Sequence, residues 1–217
     1  MRRIQIRYEK TSLPENVRKY LEEIYNDDEL RDAFYDCDVE IYDEDWIRDL
    51  ENDDSWLEDL MGPGESSYDD LKPFARDGSG ALWVVIDDVL IGYIGTEGEC
   101  GIVARNVDEF MNIIAMGRYV SDYCSADLLK SEDAFLDGLA GLEDYNADNK
   151  EVIERFIKKH GFTRDPRKLY KMIVQGLTVR PFFEIKATDD DYGDSYSLLG
   201  CDDGQNSLEQ LIKLLGL

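Results

Sequence analysis

The side chains of this 217-residue chain that could do chemistry are few in kind: one histidine, four cysteines and 49 Asp and Glu. His160 follows Lys158 and Lys159 and precedes Gly161. That is the order of a helix end, where cations meet the negative pole of the dipole and glycine turns left-handed. A Ser-His-Asp or Cys-His triad would have only this base, and no nucleophile motif surrounds it. Cys37, Cys100, Cys124 and Cys201 are widely separated with no Cys-x-x-Cys spacing, which reads as reduced core thiols. Gly78-Ser79-Gly80 precedes a strand pattern, so it lacks the amide-lined helix terminus that cradles phosphate. Asp189, Asp191 and Asp194 open like a calcium loop, but Gly200 stands where the closing Glu belongs. Paired carboxylates are the one catalytic chemistry left open, because they are recognised by distance in space. The reading is a protein that is not an enzyme and has no catalytic, metal or cofactor residues.

The carboxylates are concentrated in one stretch. Net charge is −25, and between Asp27 and Asp70 there are 19 Asp and Glu against Arg31 and Arg48, a net of −17. Large apolar residues interleave with them. Cys37, Val39 and Ile41 alternate with Asp38 and Glu40 as in a half-buried strand, and Trp46, Ile47 and Leu50, then Leu57, Leu60 and Met61, recur at helical spacing. Asn52 to Ser55 breaks this into two helices, with Trp46 on the inward face. The segment is therefore expected to be folded, with its acidic side outward. Such a face either keeps the protein soluble or steers a basic partner. From Lys150 to Arg180 the balance reverses, with nine Lys and Arg against three acids, a net of +6. This stretch is expected to pair with the acidic half, within the monomer or across a homodimer. Repulsion of phosphate by a chain at −25 argues against nucleic acid.

The elements that must position these residues follow from periodicity. Ile4, Ile6 and Tyr8 alternate as a strand, and no signal peptide or membrane span is legible, so a soluble, cytoplasmic protein is expected. Asp77-Gly78-Ser79-Gly80 forms a turn, followed by strands at Ala81 to Ile86, Val89 to Ile94 and Cys100 to Ala104, separated by Asp87-Asp88 and by Gly95 to Glu99. Asn106 caps the next helix, Glu109 reaches back to that cap, and Phe110, Ile113 and Ile114 face the core. Beyond Gly117 come a loop at Tyr119 to Ser125 and helical patterns punctuated by Gly138 and Gly141. A helix with Val152, Ile153, Phe156 and Ile157 inward follows, then another capped by Asp165-Pro166. Two strands at Val179 to Ala187 and Tyr192 to Leu199, around an acidic turn, precede a last helix at Ser207 to Leu215. The fold class is α+β: a central, largely antiparallel sheet with helices mainly on one face, in a core over 1–117, and a helical and hairpin C-terminal extension over 118–217.

The block from Phe74 through the Asp77-Gly78-Ser79-Gly80 turn, Gly95 to Glu99, Ile102-Val103-Ala104-Arg105-Asn106 and Asp108-Glu109-Phe110 resembles the SUKH superfamily. That group includes bacterial immunity proteins and fungal cell-wall-synthesis regulators. The resemblance covers about a fifth of the chain. Leu13-Pro14 matches the Leu-Pro step of the family's opening helix, but the Asn-Gly pair usual after it is absent. The resemblance implies an immunity protein that covers a cognate toxin domain without catalysis, or else a scaffold or regulator. A basic toxin would need an acidic partner. On that basis Asp36, Asp38, Glu40, Asp43, Glu44, Asp45 and Asp49 are the candidate steering and pairing residues, with Tyr35 and Tyr42 as anchors. Trp56 and Tyr68 are further candidates for contact.

Overall fold

The computed structural model describes residues 6–217 apart from 54, 143, 144, 146, 190, 203 and 204. Helices α1 (Glu15–Asn26) and α2 (Asp28–Tyr35) lead into strand β1 (Glu40–Ile41), helices α3 (Glu44–Glu51) and α4 (Trp56–Met61), and strand β2 (Gly64–Ser66). Strands β3 (Leu71–Arg76), β4 (Leu82–Ile86), β5 (Leu90–Ile94) and β6 (Glu99–Ala104) form a meander that runs into α5 (Val107–Ile114). Then come α6 (Val120–Tyr123), α7 (Ala126–Leu129), α8 (Glu132–Leu139), α9 (Lys150–His160) and α10 (Pro166–Leu177). Short strands β7 (Ile185–Ala187), β8 (Tyr196–Ser197), β9 (Cys201–Asp202) and β10 (Gln205–Asn206) precede α11 (Ser207–Leu215). None of the described helices is long and apolar enough to cross a membrane.

The main sheet has the order β1-β3-β4-β5-β6-β8, antiparallel throughout except for the parallel β6–β8 pair. The fold is thus α+β with a largely antiparallel sheet. Its meander is held by local chemistry. Asp87 and Asp88 lie at φ 49° and 61°, the left-handed backbone that tight hairpin turns need and that Asp tolerates. Strand β4 is buried along its whole length because the sheet is covered on both faces. Trp83, Val85, Ile91 and Val103 point into the larger core, with buried residues of α1, α2, α5, α9 and α10. Leu82, Val84, Ile86, Ile94 and Ile102 face a smaller one, closed by Phe183, Ile185 and the apolar side of α4. Helix α10 lies against β6 at Gly176, where a Cβ would stand 2.4 Å from the Val103 carbonyl oxygen.

Several local expectations change. Asn106 does cap α5, accepting from the Glu109 N–H at 2.9 Å, but Glu109 closes on the N–H of Arg105 (3.2 Å) and on its guanidinium. The cation draws the carboxylate one residue back. Residues 1–5 of the expected first strand lie outside the described residues, and residues 6–8 are not a strand. Side chains of α1 take the donors a neighbouring strand would have used: Ile6 N–H donates to Asn26 Oδ1 and Tyr8 N–H to Glu22 Oε1. The Cys37 to Ile41 stretch alternates in burial as expected, but only Glu40–Ile41 pairs, because Asp38 sits at φ 63°. Residues 120–123 of the expected loop form α6, where the Asp122 carboxylate accepts from the Tyr119 N–H at 3.2 Å. The expected hairpin of 179–199 is not formed as a ladder. Ile185 N–H donates to Ser195 Oγ and Ala187 N–H to Asp194 Oδ1, and with those donors taken, β7 pairs with β2 and β8 with β6.

Candidate functional site

The meander places the turns 77–80 and 95–98 at one end of the sheet. Strand β1 pairs Glu40 with Arg76, which sets Asp38 beside Gly78, and β8 pairs Tyr196 with Glu99 at the same end. Two aspartates here have different duties. Asp77 is 4% exposed and fully engaged: Oδ1 accepts from Ser79 N–H (2.9 Å), Ser79 Oγ (2.7 Å) and Ala81 N–H (2.9 Å), and Oδ2 from the Tyr93 hydroxyl (2.6 Å). Asp38 Oδ1 accepts one bond, from Gly78 N–H at 2.9 Å. Burial raises the Asp38 carboxyl above its ordinary value, with the Asp77 charge adding to the effect and the Gly78 bond opposing it.

Around Asp38 two hollows meet. An open cleft of about 520 Å³ is bordered by Tyr35, Asp36, Asp38, Glu40, Tyr119, Tyr145 and Asp148. A smaller recess of about 100 Å³ lies between Asp38, Asp77, Trp83, Tyr93, Glu99, Tyr119 and Cys124. Asp38 and Tyr119 belong to both walls. The rings of Tyr119 and Tyr145 stack at 4.1 Å and 6°, and Trp83 packs on Tyr93 at 4.7 Å. Glu99 accepts from Glu97 N–H at 3.2 Å and from the Tyr196 hydroxyl at 3.4 Å, which carries the rim toward a third hollow lined by Glu58, Asp59, Glu97, Tyr192 and Asp194. Among the described residues no Lys, Arg or His stands within 4 Å of the carboxylates of Asp36, Asp38, Asp77, Glu97, Glu99 or Asp148; Glu40 has Arg76 at 3.5 Å.

Of the residues singled out from sequence, Tyr35, Asp36, Asp38 and Glu40 are brought together at this cleft, and Tyr35 is 59% exposed. Tyr42 adjoins them through its hydroxyl, which donates to Glu40; burial and then Glu40 push it up to about 12. Its ring stacks on Trp46 at 4.3 Å and carries the Arg76 guanidinium at 4.7 Å, so Trp46 is half-buried beneath it rather than fully inward. Asp43, Glu44 and Asp45 are elsewhere, beside a hollow shared with Arg7 and Lys10. Asp43 caps α3 by accepting from Trp46 N–H at 3.0 Å, Glu44 accepts from Lys10 N–H at 2.6 Å, and Asp45 pairs with Arg48 at 2.9 Å. Asp49 is exposed on α3. Tyr68 is occupied, its hydroxyl donating to the Pro181 carbonyl at 2.6 Å. Trp83, Tyr93, Glu99, Tyr119 and Tyr145 were not foreseen; the alternation of meander turns is a signal for Tyr93 and Glu99, and nothing in the sequence points to the tyrosine pair.

Members of the basic stretch make ion pairs within the monomer, and among the described residues Arg155 is the one that reaches the acidic run of 27–70. Lys159 Nζ is 2.7 Å and His160 Nε2 3.0 Å from Glu23, and Arg155 is 3.2 Å from Glu29. His160 packs among Tyr20, Phe156 and Phe162, so the one imidazole closes a helix seam. Arg155 and Lys159 thus reach α2 and α1, and neither pairs with Asp36, Asp38, Glu97 or Glu99. Comparison with family models, with curated proteins and with solved structures finds no match for this chain.

Proposed function

We propose that this chain is a non-catalytic immunity protein of the SUKH kind, which captures a basic toxin domain with the sheet end that carries Asp36, Asp38, Glu97 and Glu99 among exposed and half-buried tyrosines. The observation that carries this reading is the set of carboxylates there without a cation among the described residues, beside Tyr35 and the Tyr119–Tyr145 pair. A dense negative rim accelerates encounter with a basic partner, and this gain falls as salt screens it. Aromatic anchors then supply affinity, because rings ringed by polar groups dominate interface energy. The motif from Phe74 to Phe110, with its Asp77 turn and Asn106 cap, supports the same reading and assigns Asp77, Gly78 and Gly80 to the fold. Blocking a toxin by covering its surface needs no general acid or base and places the protein in the cytoplasm of the cell it protects.

The test is co-expression with the C-terminal domain of a large secreted toxin encoded next to this chain's gene. Wild type should restore growth, and the Asp36→Asn/Asp38→Asn variant should not, with no loss of thermal stability. No rescue by wild type, together with retention of several unrelated host proteins on immobilised protein, would replace immunity by a scaffold role.

A further inference from the structure

We infer that the recess behind Asp38 is a socket for one arginine side chain presented by the basic partner. The inference rests on the capture reading above, and it assigns that partner a specific chemical feature. The recess is lined by the aromatic side chains of Trp83, Tyr93 and Tyr119 together with the acidic Asp38 and Glu99. A cation over aromatic faces is attracted by the ring quadrupole, more strongly where water is excluded. The inner part of the lining is shielded from water, with Trp83 3% and Asp77 4% exposed.

Shape and charge select among cations. Asp38 and Glu99 each accept a hydrogen bond from a neutral donor, Gly78 N–H and Glu97 N–H respectively, and neither meets a cation among the described residues. Their unused lone pairs present more than one acceptor direction. A guanidinium is planar, offers five fixed donors, stacks on aromatic faces and is more weakly hydrated than an ammonium, so it suits a narrow aromatic recess with two carboxylates better than lysine does. The stem would lie in the outer cleft against the stacked Tyr119–Tyr145 pair, as long cationic side chains do on apolar surface. Docking would give the half-buried Asp38 carboxylate a counter-charge in addition to its bond from the Gly78 N–H.

The experiment is an NMR titration of the ¹⁵N-labelled full chain with N-acetyl-arginine methylamide, the lysine equivalent, and the neutral isostere N-acetyl-citrulline methylamide. The socket predicts saturable shifts for arginine at the Trp83 indole N–H, Gly78 and the Tyr119 region, weaker ones for lysine and none for citrulline. Asp38→Asn should weaken the arginine response about tenfold or more with the rest of the spectrum unchanged, since a charge-assisted bond becomes a neutral one. Tyr119→Leu should weaken it in the same direction. Absence of saturation, an equal citrulline response, or shifts centred on Lys10 and Asp43 would overturn the socket; equal lysine and arginine responses would overturn its selectivity. Rescue from the neighbouring toxin without arginine binding would refute the socket and leave capture standing. Arginine binding without rescue would refute capture and leave the socket.

Discussion

At the start of α3, Asp43 holds a helix N–H, Glu44 the backbone of Lys10, and Asp45 the Arg48 guanidinium. A few residues earlier in the same acidic run, Asp36 and Asp38 stand in a tyrosine-walled cleft with neutral donors only: Asn149 Nδ2 for Asp36 and Gly78 N–H for Asp38. Similar carboxylates therefore serve the fold in one place and are left available in the other. Charge counted along a sequence measures what a surface could do; the charge left after caps and ion pairs measures what it offers a partner. The basic stretch of α9 teaches the same lesson in reverse, since Arg155, Lys159 and His160 close on Glu29 and Glu23 and so belong to the interior balance of the monomer.

The difference can be broken by substitutions, beginning with the largest effect. Asp77→Ala strands several donors around a buried carboxylate and should cost on the order of 3 kcal/mol, read as a drop in the urea midpoint at unchanged slope. A loss under about 1 kcal/mol would mean the turn does not depend on it. Asp43→Ala removes a helix cap and should cost about 1 kcal/mol while leaving partner capture intact.

Asp38→Asn should do the opposite, weakening capture and raising stability. Its carboxyl is raised above its ordinary value of 3.8, so the folded chain binds more protons than the unfolded chain between the two values. Stability is then lost as pH rises through that window, and the penalty is complete at neutral pH. Asn removes the penalty, keeps an acceptor for Gly78 and tolerates the left-handed backbone at this position. The gain is expected at pH 7 and should vanish below about pH 3.8, where the carboxyl is protonated in both states. Melts across pH would read it, and a destabilised variant at pH 7 would contradict it. Arg155→Ala, which breaks an exposed pair, should shift stability by only about 0–0.5 kcal/mol in the same melts.

What was legible in the sequence was local. The Asp77 turn, the Asn106 cap, the Lys158-Lys159-His160-Gly161 helix end, the Asp165-Pro166 start and the bounds of α11 each depend on neighbours within a turn or two of chain. The elements misread are those whose backbone donors are taken by side chains from elsewhere: Asn26 and Glu22 at residues 6–8, Asp194 and Ser195 along β7. Half the site followed the same rule. Tyr35 to Glu40 was visible as charge with aromatics, whereas Tyr119, Tyr145 and Trp83 reach the cleft only through the order of strands and the path of the chain after α5.

The decisive measurement uses three immobilised proteins, wild type, Asp36→Asn/Asp38→Asn and Asp45→Asn/Asp49→Asn, each exposed to the same source lysate at one low salt concentration, with the bound basic protein quantified by mass. If the sheet-end cleft is the capturing surface, the Asp36/Asp38 variant loses that protein while the α3 variant retains it near the wild-type level. Loss by the α3 variant, or equal retention by all three, would contradict the assignment.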